Sequence, residues 1–331
     1  MNFPRITIVT PSLNQGNYLE ETILSVLDQG YPNLEYFIID GGSTDQTQEI
    51  IKKYEHQLAG WVSEKDRGQS HAINKGLEKA SGNLFNWLNA DDVLEPGALQ
   101  KVALEFATGG FDVIFGWCRH FSDSSKDTLA IGKTSLYPSF EKTMAYYSMG
   151  QPSHFYKTEH VRFLGGLNQS LNYAMDMDQW FRYLLINGTV RVKFIDDVLA
   201  HFRLHEHSKT NKDNLEFKRE RMAIYRTILM QNDPPVFLLD YINRFREVKG
   251  YEPKWQLENI NVELLIAYFA ERLFDDFYAQ RDYQNCRNCL KLIYQFKKTK
   301  NAKLLRRFLR VGIFDDDTLN FMRKLKSRLS R

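Results

Sequence analysis

Three short segments carry acidic and polar residues: Asp40-Gly41-Gly42-Ser43, then Glu64 and Asp66 followed by Gly68-Gln69, then Asn89-Ala90-Asp91-Asp92. Each follows a short apolar run. Carboxylates gathered on one rim repel one another unless a cation lies among them. Oxygen donors of this kind suit Mg²⁺ or Mn²⁺. Such a metal typically bridges diphosphate oxygens and neutralises a leaving group. A solvated loop accounts for any one segment, but poorly for three in succession. Further along, His201-Phe202-Arg203-Leu204-His205 alternates basic and apolar residues. On a strand, His201, Arg203 and His205 would share one face. Arg203 suits a diphosphate, and His205 a third metal-ligand position. An edge strand with a solvated polar face would show the same alternation.

The elements that must position these residues alternate in type. Strand patterns at Arg5–Val9, Tyr36–Ile39, Trp61–Ser63, Leu84–Leu88 and Val113–Trp117 are separated by helical spacings. The helices carry Leu19, Ile23 and Val26; Ile50, Ile51 and Tyr54, with Ser43 and Thr44 as N-cap candidates; Ile73 and Leu77; and Leu99, Val102 and Phe106. This order implies a parallel sheet covered by helices on both faces, with ligands beyond the carboxyl ends of the strands. Residues 124–153 read as a variable loop. A helix is expected at Gln179–Ile186, then strands at Val190–Ile195 and Val198–Leu204. Composition turns polar near His207–Asn214, and helical patterns follow. The expected division is a catalytic domain over 1–210 and a helical region over 211–331.

The three cysteines, Cys118, Cys286 and Cys289, argue against a disulfide scaffold and for a reducing compartment. Cys286-x-x-Cys289 is expected on a helix surface. The opening MNFPRITIVTP lacks the basic and apolar regions of a secretory signal, and no apolar run is long enough to span a bilayer. A cytoplasmic protein is expected, with no nucleic acid as partner. The net charge of +3 is uneven: residues 297–331 hold twelve Lys/Arg against three Asp. In that tail Leu304, Leu305, Phe308 and Leu309 alternate with Arg306, Arg307 and Arg310. Such a helix could lie peripherally on the inner face of an anionic membrane, or pack on the catalytic domain with a solvated basic face.

The segments TPSLNQGNYLEETILSVLDQGYPNLEYFIIDGGSTDQT, SEKDRGQSHAINKGLEKASG and NWLNADD resemble glycosyltransferase family 2, from about Pro4 to about Thr210. The resemblance implies a GT-A fold: a Rossmann-like, mostly parallel sheet with helices on both faces, here followed by an α-helical C-terminal region. It implies an inverting transfer of a sugar from a nucleotide-diphosphate donor, UDP first, to a hydroxyl of a glycan or lipid-linked acceptor. Cell-surface polysaccharide synthesis is the expected setting.

Carried over by residue, Pro11, Ser12 and Leu13 would flank the base. Asp40 would accept its imide N–H, and Asp66 and Gln69 would close the pocket. Asn89-Ala90-Asp91 occupies the family's Asp-x-Asp motif, departing from it at Asn89, whose amide could still hydrogen-bond ribose. Asp91 and Asp92 would hold Mn²⁺ or Mg²⁺, joined by His205. Asp176, in LNYAMDMDQW, falls where the family's general base lies. Met175 stands where a Glu usually precedes that base, and Asp178 would cap the following helix. Both Asp176 and Asp178 could instead be N-cap residues. His154 is a candidate acceptor contact.

Two alternatives remain. A metal-dependent nucleotidyltransferase would carry a basic, Gly-rich loop after the first strand, where PSLNQGNYLEE has no Lys or Arg. A non-catalytic nucleotide-sugar-binding scaffold would not need Asp40, Asp91 and Asp176 together.

Overall fold

The computed structural model describes residues 3–122, 125–132, 134–206, 208–209, 214–253, 260–297 and Val311. The basic tail therefore lies outside the described residues except for Lys297 and Val311. Among the described residues no helix is long and apolar enough to cross a membrane.

The chain forms two compact units. The first comprises Met1–Leu136, Tyr147–Ile224 and Glu247–Gln256. Its strands are β1 (Ile6–Ser12), β2 (Leu34–Asp40), β3 (Gly60–Ser63), β4 (Leu84–Trp87), β5 (Val93–Leu94), β6 (Val113–Ser122), β7 (Ser125–Gly132), β8 (His154–Lys157) and β9 (Val192–Leu204). They form one sheet in the order β3-β2-β1-β4-β8-β6-β9-β5, with β7 paired to β6. The strands β3, β2, β1 and β4 are parallel, as the alternation predicts. The sheet is nonetheless mixed: β8 runs antiparallel to both β4 and β6, and β5 and β7 are also antiparallel to their neighbours.

Every residue of β1 is buried, as expected of a central strand covered on both faces. Leu19, Ile23 and Val26 of α1 (Gly16–Leu27) join Ile6, Ile8 and Ile38 in one core. The helix α3 (Gln69–Lys79) packs directly on β1, because a side chain at Gly76 would fall 2.5 Å from Val9. Register aligns three strand ends side by side, with Asp40 flanked by Ser12 and Ser63.

Several expectations are corrected. Helix α2 (Thr47–Tyr54) starts after Gln46, so neither Ser43 nor Thr44 caps it. Residues 124–153 contain β7 and the helix α5 (Phe140–Ala145). The two strands expected over 190–204 are one, paired along β6 with irregular register near Trp117. Helix α4 (Ala98–Ala107) is as expected, and α6 (Thr158–Phe163) follows β8. Helix α7 (Met175–Asn187) begins four residues early, so Asp176 and Asp178 lie inside its first turn. Asp178 is no cap. It is buried, accepts from the Tyr251 hydroxyl at 3.2 Å, and is paired at 2.7 Å with Arg182 one turn later.

The second unit comprises Tyr137–Tyr146, Tyr225–Arg246 and Leu257–Arg331. The helix α8 (Asn214–Leu229) leads into it, followed by α9 (Val236–Asn243), α10 (Val262–Gln280) and α11 (Tyr283–Lys297). Asn261 caps α10 by accepting the Leu264 N–H at 3.0 Å. Cys286 and Cys289 are buried on α11, not on its surface.

The Asp178–Arg182 pair yields a prediction. Asp178→Asn leaves a buried guanidinium without its counter-charge, a change that costs about 3–5 kcal/mol when such pairs are broken. Chemical denaturation should show a loss of that order. A wild-type midpoint would mean that the pair does not anchor α7.

Candidate active site

The carboxyl ends of the strands carry the predicted residues, and most of their polar groups are already engaged. Asp40 is buried. Its Oδ2 accepts the Ser43 N–H at 2.9 Å and the Ser63 hydroxyl at 2.6 Å, while the Ser43 hydroxyl donates to Oδ1. A base imide would compete with these donors. Asp66 accepts the Gly68 N–H at 2.8 Å, and its carboxylate fills the space a side chain at Gly41 would take, 2.7 Å away. The loops after β2 and β3 are therefore interlocked. Ser12 is buried beside Asp40, Pro11 precedes it within β1, and Leu13 is exposed.

The Asn89–Asp92 turn is held from several sides. Thr22 of α1 donates to the carbonyls of Ala90 at 2.9 Å and Asp92 at 2.8 Å. Gln69, opening α3, donates to Asn89 Oδ1 at 2.6 Å, and Asn89 Nδ2 donates to Asp92 Oδ2 at 2.9 Å. Asp92 is buried and also accepts the Arg203 N–H at 3.1 Å. Burial, then the Asp91 charge, holds its carboxyl well above the usual range. Its oxygens thus brace the turn, leaving Asp91 as the more accessible member of the pair. Asp91 Oδ2 lies 2.9 Å from His205 Nε2, just beyond the end of β9. Arg203 is buried, donates to the Asp91 carbonyl at 2.9 Å and is paired with Glu21. Tyr18 lies against His205 with ring centroids 4.5 Å apart. One face of α1, bearing Tyr18, Glu21 and Thr22, therefore supports the whole cluster. Their spacing of three and four residues is legible in sequence, but nothing local marks what they touch.

His201 is drawn away from this cluster, paired with Glu95. His154 is fully buried, stacked on Phe115, with Nδ1 2.9 Å from the Gly150 carbonyl; burial pushes its pKa down to about 3. It is a core residue, not an exposed acceptor contact. Trp180 is buried and stacked on Tyr183.

Asp176 is half-buried in the first turn of α7. The Tyr147 hydroxyl donates to its Oδ2 at 3.1 Å, and the Met177 N–H donates to Oδ1 at 2.8 Å. Desolvation raises its pKa, opposed chiefly by the Met177 N–H and the charge of Arg221. The helix terminus alone does not set its ionisation, because burial outweighs it. Lys209 links the two sides of the site, donating to Gln69 Oε1 and to the Asn172 carbonyl, both at 2.8 Å. No sequence motif marked it.

Residues 7–162 match the model of glycosyl transferase family 2. An uncharacterised glycosyltransferase of Rickettsia typhi is 28% identical over 275 residues, covering 77% of this chain and 83% of the relative. Residues 7–162, just under half of the chain, therefore carry a glycosyltransferase family 2 domain. The match and the relatives named glycosyltransferase support a glycosyltransferase. A glycosyltransferase assigned to teichuronic acid biosynthesis, TuaG of Bacillus subtilis, is 39% identical over 106 residues, 31% of this chain and 42% of TuaG. The structure of residues 1–349 of S. aureus TarS in complex with UDP superposes with a TM-score of 0.54 at 19% identity, covering 88% of this chain and 91% of that fragment. A Pyrobaculum calidifontis mannosyltransferase in complex with GDP-Man and Mn²⁺ gives 0.52 at 15% identity, covering 97% and 84%. The fold is that of GT-A glycosyltransferases.

Within this family-2 site, the departure at Asn89 has a physical basis. An amide can accept from Gln69 and donate to Asp92 at once, whereas a carboxylate cannot donate. Asn89→Asp would set a second carboxylate against buried Asp92. The expected cost is about 1–3 kcal/mol, that of an unmet buried polar group. The new carboxyl would have a raised pKa, so the loss should appear above the ordinary carboxylate range and fade on acidification. Thermal melts in chelator across pH test this. A pH-independent, wild-type melting temperature would contradict the Asn89–Asp92 bond.

Proposed function

We propose that this glycosyltransferase uses a nucleoside-diphosphate sugar, with UDP the first candidate nucleotide, and inverts the anomeric centre on transfer to a hydroxyl of a glycan or lipid-linked acceptor. The observation that carries this reading is the 2.9 Å pairing of Asp91 with His205 at the strand ends. One carboxylate and one imidazole form a donor set that diphosphate oxygens and water would complete, the usual way Mg²⁺ or Mn²⁺ is held at phosphates. Among the described residues no group of three or more His, Cys, Asp or Glu is placed to hold a metal. A bound divalent cation would neutralise charge gathering on the departing diphosphate. Arg203 braces the Asp91 turn and adds positive charge beside it. Pro11, Ser12, Leu13 and the interlocked Asp40 and Asp66 loops would receive the nucleoside, with Gln69, Asn89 and Ala90 along its ribose side.

In the reaction the acceptor oxygen bonds to the anomeric carbon as the bond from that carbon to the diphosphate oxygen breaks. Asp176 takes the hydroxyl proton as the new bond forms. Its raised pKa makes it a stronger base than an ordinary carboxylate. The nucleotides bound by TarS and by the mannosyltransferase, and the Mn²⁺ of the latter, support the donor class and the metal. The likeness to TuaG supports polysaccharide assembly as the setting.

Calorimetry of UDP binding with and without Mn²⁺ tests the metal reading: the cation should tighten binding to the wild type and have little effect on Asp91→Ala. Equal metal dependence in both proteins would contradict it.

For the base, Asp176→Asn should lower single-turnover transfer on the order of 10²-fold or more with UDP affinity retained. Because only the ionised base works, wild-type turnover should fall as pH drops through a window above the ordinary carboxylate range. A raised folded-state pKa also means that Asp176 costs stability as pH rises through that window. Asp176→Asn should therefore be at least as stable as wild type at neutral pH. Retained activity would remove Asp176 from the mechanism.

A further inference from the structure

The turn leading into α7 is fixed by a residue distant in sequence. Glu220, on the part of α8 that belongs to the first unit, is buried. Its Oε1 accepts the Asn172 N–H at 2.9 Å, and its Oε2 accepts the N–H groups of Tyr173 and Ala174, both at 2.8 Å. Three consecutive backbone donors thus converge on one carboxylate. Charge-assisted bonds of this kind are among the strongest a protein makes, and together they fix the backbone of the turn. No side chain caps α7 at Ala174, so nothing local does this work. From the other side, Lys209 holds the Asn172 carbonyl at 2.8 Å. Asp176 lies two residues past the last of these donors. Next to Glu220, Arg221 sits over the Tyr147 ring at 5.3 Å, and Tyr147 donates to Asp176.

We propose that Glu220 is a positioning residue for the general base: by filling the backbone cradle of residues 172–174 it fixes the start of α7, and with it the direction in which Asp176 meets the acceptor hydroxyl. The inference rests on the reading of Asp176 as base. No hydrogen bond joins Pro11–Leu13 or the Asp91–His205 pair to Glu220. The cradle is linked to the donor side through Lys209, which bonds both Asn172 and Gln69, so turnover should change more than donor affinity. Placement of reacting groups is steeply felt, with a displacement of about 1 Å costing about 10²-fold in rate. Gln at position 220 keeps the shape of the side chain but points an N–H₂ at one of the backbone donors. Asp keeps the charge on a shorter stem.

The test compares Glu220→Gln, Glu220→Asp and Asp176→Asn with wild type, measuring kcat, donor KM, UDP affinity and melting temperature. Glu220→Gln is expected to lose kcat about tenfold or more, with a clearly smaller change in donor KM and UDP affinity. Glu220→Asp should fall between it and wild type, and it carries the same test if the Gln variant does not fold. Wild-type kcat in either folded variant would overturn the proposal while Asp176→Asn stays inactive. So would a parallel loss of kcat and UDP affinity, the mark of general structural damage. If Asp176→Asn itself transfers at the wild-type rate, the base assignment fails and takes the positioning role with it.

Discussion

The structure depends on how negative charge is held at the carboxyl ends of the strands. Asp40, Asp66, Asp91 and Asp92 all end strands or turns on that rim, and Glu21 reaches it from α1. A buried carboxyl such as that of Asp40 or Asp92 is tolerated only when hydrogen-bonded or paired. The partly buried Asp66 and Asp91 and the exposed Glu21 are engaged as well. Each is met by a different partner: hydroxyls and backbone N–H groups for Asp40, the Gly68 N–H for Asp66, an amide and a backbone N–H for Asp92, Arg203 for Glu21. Meeting these demands interlocks the loops after β2, β3 and β4 and ties them to α1 and β9. Asp91 differs, because its partner is the imidazole of His205, a group that can ligate metal as well as donate a hydrogen bond.

Much of this was legible in sequence where the signal is local. The first four parallel strands and their helices announce themselves because β1 and β2 are apolar runs flanked by helical periodicity. The sheet's turn to mixed pairing was not legible. β8 is four residues, His154–Lys157, too short and too mixed in polarity to read as a central strand. β9 reads as two strands because Asp196 and Asp197 interrupt its apolar pattern, although the backbone continues through them. The start of α7 was misplaced because Asp176 and Asp178 look like caps, while Met175 and Met177 are buried beside them.

The site divides along the same line. Asp91, Asp176 and His205 stand in motifs whose order carries information. The residues that hold them, Glu21, Lys209 and Glu220, act across separations of tens to hundreds of positions and leave no local mark. Glu220 is instructive in this respect. It lies beyond the expected catalytic boundary at residue 210, yet it bonds the turn that leads to Asp176, the proposed base, and the first unit extends to Ile224.

In the proposed site Asp91 and His205 share a divalent cation with the donor diphosphate. Pulsed electron paramagnetic resonance of the protein with Mn²⁺ and UDP tests it most directly. Phosphorus couplings from the nucleotide are expected together with a nitrogen coupling from a single imidazole, the latter lost in His205→Ala. Phosphorus couplings with no nitrogen coupling in the wild-type complex, or a nitrogen coupling that survives in His205→Ala, would contradict it.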